Sequence, residues 1–300
     1  MSTHDTTTHD TGGLTPADQP ATNDAQALDD SVVEQWRQID DPGAGQRWST
    51  FAGLERLCRG PQPWPDWVVT DASAIDTELG VLKTGKEADV VLIERASTTD
   101  PDRRVVMAAK RYREASHRDF HRSASYTDGR RQRRSRDARA LANKSAYGRS
   151  VAAGQWAGAE WSALTTLYAA GLPVPYPVQI DGTEIVMELA RDGAGDPAPR
   201  LAHTRPSPVE LSAWWEQLRG VVVDLAGLGL AHGDLSAYNV LAGRDGLVVI
   251  DLPQAVDIVG NPAGLDFLHR DCVNVATWFT SKGHAVDGEV LFGEAVAQAW

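Results

Sequence analysis

The sequence predicts an α+β fold in which a β-rich N-terminal part precedes a mostly helical C-terminal part. Two observations carry that expectation. Between residues 78 and 110, three short runs rich in Val, Leu, Ile and Ala are bounded by Gly, Thr, Asp or Pro, the pattern of consecutive antiparallel strands. From Ser207 onward the apolar residues recur instead at helical spacing, as in Leu211, Trp214, Trp215, Leu218, Val222 and Leu225. With 300 residues, 42% of them apolar, the chain has material for one large domain and a tail, or at most two small domains.

Taken in order, residues 1–30 are rich in Thr, Asp, Ala and Gly and nearly lack large apolar side chains. Such a segment buries too little surface to offset its ordering entropy, so a disordered acidic tail is expected. Residues 31–74 read as a helical extension and linker, with Phe51, Leu54 and Leu57 at helical spacing before the Pro/Trp-rich PQPWPDW from Pro61. The main domain is expected over 75–300. Its strands at 78–82, 90–94 and 105–110 are followed by a polar, Arg-rich stretch over 111–154 with no clear period. A helix over 156–170 rests on Trp161, Leu164, Leu167 and Tyr168, and GLPVPYP at Gly171 stops it. A strand is expected at 184–189. Ser207-Pro208-Val209-Glu210 then combines a capping box with proline at the first helical position. A strand, a turn and a strand run to Asp251, and a further helix spans 264–281.

Composition excludes several classes. A net charge of −12 argues against coating nucleic acid by bulk charge. No apolar run approaches the length of a membrane span, and MSTHDTTTHDTGG has neither the basic nor the apolar region of a secretory signal. A cytoplasmic protein with no membrane partner is therefore expected. Cys58 and Cys272 stand far apart without a CxxC motif and read as reduced thiols.

The chemistry concentrates in HGDLSAYN, His232 to Asn239, followed by VLAG, a turn at Arg244-Asp245-Gly246, and LVVID ending at Asp251. Phosphoryl transfer needs in-line positioning and charge neutralisation more than covalent help. Asp234 suits the carboxylate that orients an attacking hydroxyl and accepts its proton. Asn239, five positions on, and Asp251, at the end of the next hairpin, offer hard oxygen ligands for Mg²⁺ on the phosphates. Lys110 closes the strand VVMAAK, where a lysine can hold the α- and β-phosphates if a helix carboxylate orients it, and Glu160 is the natural partner. The hairpin LKTGKEADVV could lay the backbone of Thr84, Gly85 and Lys86 over phosphates, although as a bare motif it also fits a surface hairpin. Glu188 and Leu189, after EIVM, would form the lobe connection whose backbone meets adenine. GRRQRRSRDAR from Gly129 reads first as a solvated loop and second as a contact for RNA or a phosphoprotein.

These segments resemble the RIO family of atypical protein kinases, more its first branch than its winged-helix-bearing second. The resemblance rests on TGKEADV at Thr84, AAKRY at Ala108, AEW at Ala159 with GLPVPYP behind it, and VMEL at Val186. It continues through HGDLSAYN, IDLPQAV at Ile250 and FLHRDCVNV at Phe267, covering roughly residues 75–285 in order. It implies a two-lobed protein-kinase-like fold, use of ATP with Mg²⁺ or Mn²⁺, serine autophosphorylation and ATPase turnover. It further implies a protein acceptor or a maturing small ribosomal subunit as partner. Lys83 stands where a small hydroxyl residue is expected in that loop. Two rival readings use the same residues: a small-molecule kinase resembling aminoglycoside phosphotransferases, and an assembly factor in which ATP acts as a conformational switch.

Overall fold

The three strands expected between residues 78 and 110 lie within one antiparallel sheet. The computed structural model describes residues 42–113, 146–253 and 255–299. Strands β1 (Gln46–Trp48), β2 (Ile75–Thr84), β3 (Ala88–Ala96), β4 (Arg104–Tyr112), β5 (Pro177–Asp181) and β6 (Glu184–Glu188) pair in the order 1-2-3-4-6-5. Among the described residues there are four α-helices: α1 (Ala146–Ala169) between β4 and β5, and α2 (Pro208–Gly227), α3 (Gly264–Ser281) and α4 (Gly288–Ala299) after β6. Between α2 and α3 lie two small pairs, β7 (Leu230–Ala231) with β10 (Val256–Asp257), and β8 (Val240–Gly243) with β9 (Gly246–Val249). The fold is α+β and kinase-like, with a sheet-built N-terminal lobe and a helical C-terminal lobe.

Strand alternation decides which side chains meet the second lobe. On β4, Met107 and Ala109 join a cluster with Phe51, Val68, Val91, Ile93, Tyr176 and Val178. Their neighbours Ala108 and Tyr112 join the larger core with α1. Because successive strand residues face opposite sides, Lys110 shares the side of Ala108 and Tyr112. On α1 the small buried Ala153 and Ala157 let the helix approach the sheet, and Glu160, one turn on, is buried with Trp161 and Leu164.

The segment expected as a helical extension is different where described. Residues 46–48 add an edge strand to β2, with Gln46 opposite Thr77 and Trp48 opposite Ile75. Phe51–Gly53 and Arg56–Cys58 are single turns of 3₁₀ helix, and Leu57 is exposed. The helical spacing of Phe51, Leu54 and Leu57 was thus misleading, because only Phe51 is buried. The Gly60 N–H donates to Val178 O at 2.9 Å, and a Cβ there would stand 1.9 Å from Pro177 O, so only glycine fits this tie to β5. The sheet therefore starts before the expected boundary at residue 75. The tail at 1–30 and most of the Arg-rich stretch, including 129–145, lie outside the described residues.

Proline opens β5, an edge strand, where a missing N–H is tolerated. The capping box at Ser207 forms as expected, with the Ser207 N–H donating to Glu210 Oε2 at 2.8 Å and Glu210 N–H to Ser207 Oγ at 3.3 Å. Helix α3 spans the expected residues. Helix α4 has no counterpart in the sequence reading; Arg219 ties it to α2 through Glu294 at 2.7 Å. Among the described residues, no helix is long and apolar enough to cross a membrane. Both cysteines are free thiols.

Candidate active site

A cleft of about 620 Å³ opens between the lobes and is lined by residues of both. It gathers Gly85, Lys86, Lys110, Glu160, Glu188, Leu189, Asp234 and Asp251. Thr84 and Asn239 do not line it. Thr84 ends β2 opposite Asp89, and Asn239 lies buried beside Asp234. Gly85 makes the hairpin turn close: its N–H donates to Ala88 O at 2.9 Å, and a Cβ would meet that oxygen at 2.8 Å.

Lys110 Nζ donates to Glu160 Oε1 at 2.7 Å and to Asp251 Oδ1 at 2.8 Å. Burial opposes its charge, but the Glu160 and Asp251 carboxylates outweigh that and hold its pKa above the ordinary lysine value. Burial likewise opposes the Asp251 charge, yet Lys110 draws that carboxyl below the ordinary aspartate value. The Tyr112 hydroxyl donates to Glu160 Oε2. Burial, then the Glu160 charge, pushes the Tyr112 phenol well above the ordinary tyrosine value. Glu160 thus has both oxygens engaged and presents Lys110 in a fixed position.

The HGD loop is held from three sides. Asp271, on α3, accepts the Gly233 N–H through Oδ2 at 2.7 Å and the Leu235 N–H through Oδ1 at 2.8 Å. Arg270 donates to Gly233 O, and Asn239 Nδ2 to Asp234 O at 2.9 Å. His232 Nδ1 accepts the Asp234 N–H at 3.3 Å, which leaves the ring proton on Nε2 to donate to Ile250 O at 3.0 Å. Asp234 is the exposed residue of this stretch, while His232, Gly233 and Leu235 are buried. Asp251 follows Ile250 with φ +69°, a left-handed conformation that is uncommon for residues other than glycine.

Asp251 and Asn239 offer oxygen donors of the type that a hard divalent cation takes. With its Nδ2 committed to Asp234, Asn239 accepts no hydrogen bond through Oδ1 among the described residues. Asp251 keeps its second carboxylate oxygen clear of Lys110. No group of three or more His, Cys, Asp or Glu side chains among the described residues could hold a metal alone. A pair of protein oxygens completed by phosphate oxygens and water is the usual arrangement for Mg²⁺.

The family model of the RIO domain matches residues 97–291. The chain belongs to the RIO family. A RIO-type serine/threonine-protein kinase Rio1 of Haloferax volcanii is 36% identical over 218 residues, which is 73% of this chain and 68% of that protein. Serine/threonine-protein kinase RIO1 of Caenorhabditis elegans is 35% identical over 133 residues, covering 43% of this chain but 25% of the nematode protein. Among solved structures, the Rio2 kinase–ADP/Mg²⁺–phosphoaspartate complex from Chaetomium thermophilum has a TM-score of 0.52 at 22% identity. That match covers 74% of this chain and 62% of Rio2, and it carries the fold alone.

Sequence reading of this RIO chain had not assigned Asp271, Tyr112, Arg200 or His203, of which Tyr112, Arg200 and His203 line the cleft. Asp271 had a signal: it is a carboxylate on the core stripe of α3 beside Leu268, Cys272 and Val275. An acid on an apolar stripe needs buried partners. Tyr112 had the two-residue spacing that places it on the side of Lys110. Arg200 precedes and His203 closes a single 3₁₀ turn, Leu201–His203, which is too short for a period to show.

Proposed function

We propose that this chain is an ATP-dependent phosphotransferase acting with Mg²⁺ or Mn²⁺ on serine hydroxyls, including its own, with ATP hydrolysis when water is the acceptor. The observation that carries this reading is Lys110 bridging Glu160 at 2.7 Å and Asp251 at 2.8 Å on the wall of the cleft. A lysine oriented by a buried carboxylate presents a fixed positive charge to phosphate oxygens, and such preorganised charge is the main source of catalysis in phosphoryl transfer.

In this reading Glu188 and Leu189 meet adenine through their backbone, and Lys110 holds the inner phosphates. The hairpin at Thr84 and Gly85, its turn closed by the Gly85 N–H, carries the Lys86 backbone N–H and ammonium over the phosphate tail. Asp251 and Asn239 hold the divalent cation, which supplies charge neutralisation on the transferred phosphoryl group. Asp234 orients the acceptor hydroxyl. As the new P–O bond forms and the bond to ADP breaks, the hydroxyl proton passes to the Asp234 carboxylate. A protein acceptor in the cytoplasm suits this reading best.

The test follows the γ-phosphate of labelled ATP with Mg²⁺, beside Asp234→Ala and Asp251→Ala. Label reaching protein or water in the wild type and in neither variant supports the proposal. ATP bound without any phosphate movement favours a switch or an absent small-molecule acceptor. No ATP binding overturns the proposal.

A further inference from the structure

Two cations of the cleft are not absorbed by this scheme. Lys83 stands on β2, in the sheet lobe, one residue before the strand's end at Thr84. Arg200 lies on the opposite wall, in the segment whose backbone bridges to Leu241 of β8. Both line the cleft that holds Lys110 and Asp251. Neither side chain has a hydrogen-bond or ion-pair partner among the described residues. Lys83 is exposed and Arg200 half-buried, so both stand toward the mouth, outward of Lys110.

Two cations that line one cleft without a direct partner repel unless an anion lies between them. Both line one cleft, and consistent with that placement partial burial first, then the Arg200 charge, with Lys110 adding, draws the Lys83 pKa below the ordinary lysine value, while Asp251 offsets this only in part. The inner cation, Lys110, already has two carboxylates. Among the described residues neither Lys83 nor Arg200 has a carboxylate in direct contact, so a further anion belongs nearer the mouth than the phosphates that Lys110 would hold.

We infer that Lys83 and Arg200, one from each lobe, form a second cationic site that grips the terminal phosphate of a nucleoside triphosphate and makes the cleft prefer tri- to diphosphate. This inference rests on the nucleotide reading above and goes beyond it by assigning discrimination between ATP and ADP to two residues outside the Lys110 triad. An arginine presents a planar fork and a lysine a point charge, a combination suited to a phosphate with three free oxygens.

The test is calorimetric binding of ADP and of the non-hydrolysable triphosphate analogue AMP-PNP, each with Mg²⁺, to the full chain. Lys83→Ala and Arg200→Gln are each expected to weaken AMP-PNP about tenfold, the factor carried by one charge-assisted hydrogen bond, and to leave ADP within roughly twofold. Lys83→Arg, which keeps the charge, is expected to keep the preference. Equal losses for both nucleotides, or unchanged affinity for both, would overturn the inference while leaving the phosphotransfer reading in place. Wild-type protein that binds neither nucleotide would overturn both.

Discussion

Lys110 Nζ stands 2.8 Å from Asp251 Oδ1, joining the sheet lobe to a residue 141 positions later on the far wall of the cleft. This pair sets a pH dependence whose sign follows from the two shifts. Asp251 has a depressed pKa, so its contribution to stability is complete above the ordinary value of 3.8 and is lost as pH falls through the lower folded value. Lys110 has a raised pKa, so its contribution is complete below 10.5 and is lost as pH rises through the folded value. Urea unfolding from neutral pH down to about pH 3 is expected to show a shallower acid limb in Asp251→Asn than in wild type. An unchanged acid limb would mean that the pair is not coupled to folding.

The backbone at Asp251 makes a separate prediction. At φ +69° a Cβ is strained, and glycine removes the strain. Asp251→Gly should therefore be more stable than Asp251→Ala by about 1 kcal/mol, although both lack phosphoryl transfer. Chemical denaturation of the two variants compares them directly. Equal stability would show that the left-handed conformation relaxes when the carboxylate is gone.

Asp271 holds the Gly233 and Leu235 N–H groups on either side of Asp234. Replacing it with Asn puts an amide N–H against a backbone N–H in a buried site. The expected cost is about 1–3 kcal/mol of stability, with a fall in turnover larger than any fall in nucleotide affinity. Losses of nucleotide affinity and turnover in equal proportion would instead assign Asp271 to the fold at large.

In the sheet lobe, Arg95 is fully buried and pairs with Asp76 through Nε at 2.6 Å and through a second nitrogen at 2.9 Å. Asp76→Ala leaves that guanidinium without its counter-charge, at a cost of roughly 3–5 kcal/mol. Adding Arg95→Met should recover most of the loss, since a buried pair often contributes little beyond an apolar replacement. Urea midpoints of the single and double variants decide this. A double variant no more stable than the single would show that the pair itself stabilises the sheet.

Much of the site was legible because its chemistry is local. His232 to Asn239 and the hairpin to Asp251 form one continuous stretch, so residue type and spacing together marked Asp234, Asn239 and Asp251 as candidates, of which Asp234 and Asp251 line the cleft. Lys110 was legible from its strand, and Glu160 from the order of elements. The segment 42–74 was misread because a three-residue edge strand and single 3₁₀ turns carry too few residues for a period to show. The acid on α3 stood out only as a carboxylate on an apolar stripe; its partners, backbone N–H groups, leave no trace in residue type, so its role was not readable.

The sequence by itself determined the alternation of strands and helices, the side of β4 that carries Lys110, and the identity of the carboxylates and amide in the HGD segment. Each of these depends on neighbours a few residues apart, through pleat, turn and cap. Only the tertiary structure decided that Glu160, 50 positions after Lys110, and Asp251, 141 positions after it, share one ammonium. It alone decided that Asp271 anchors the loop of Asp234 and that Lys83 and Arg200 line the same cleft. The reason is that a charge buried at long sequence separation is positioned by how sheet and helices pack, and packing is a property of the whole core rather than of any local pattern.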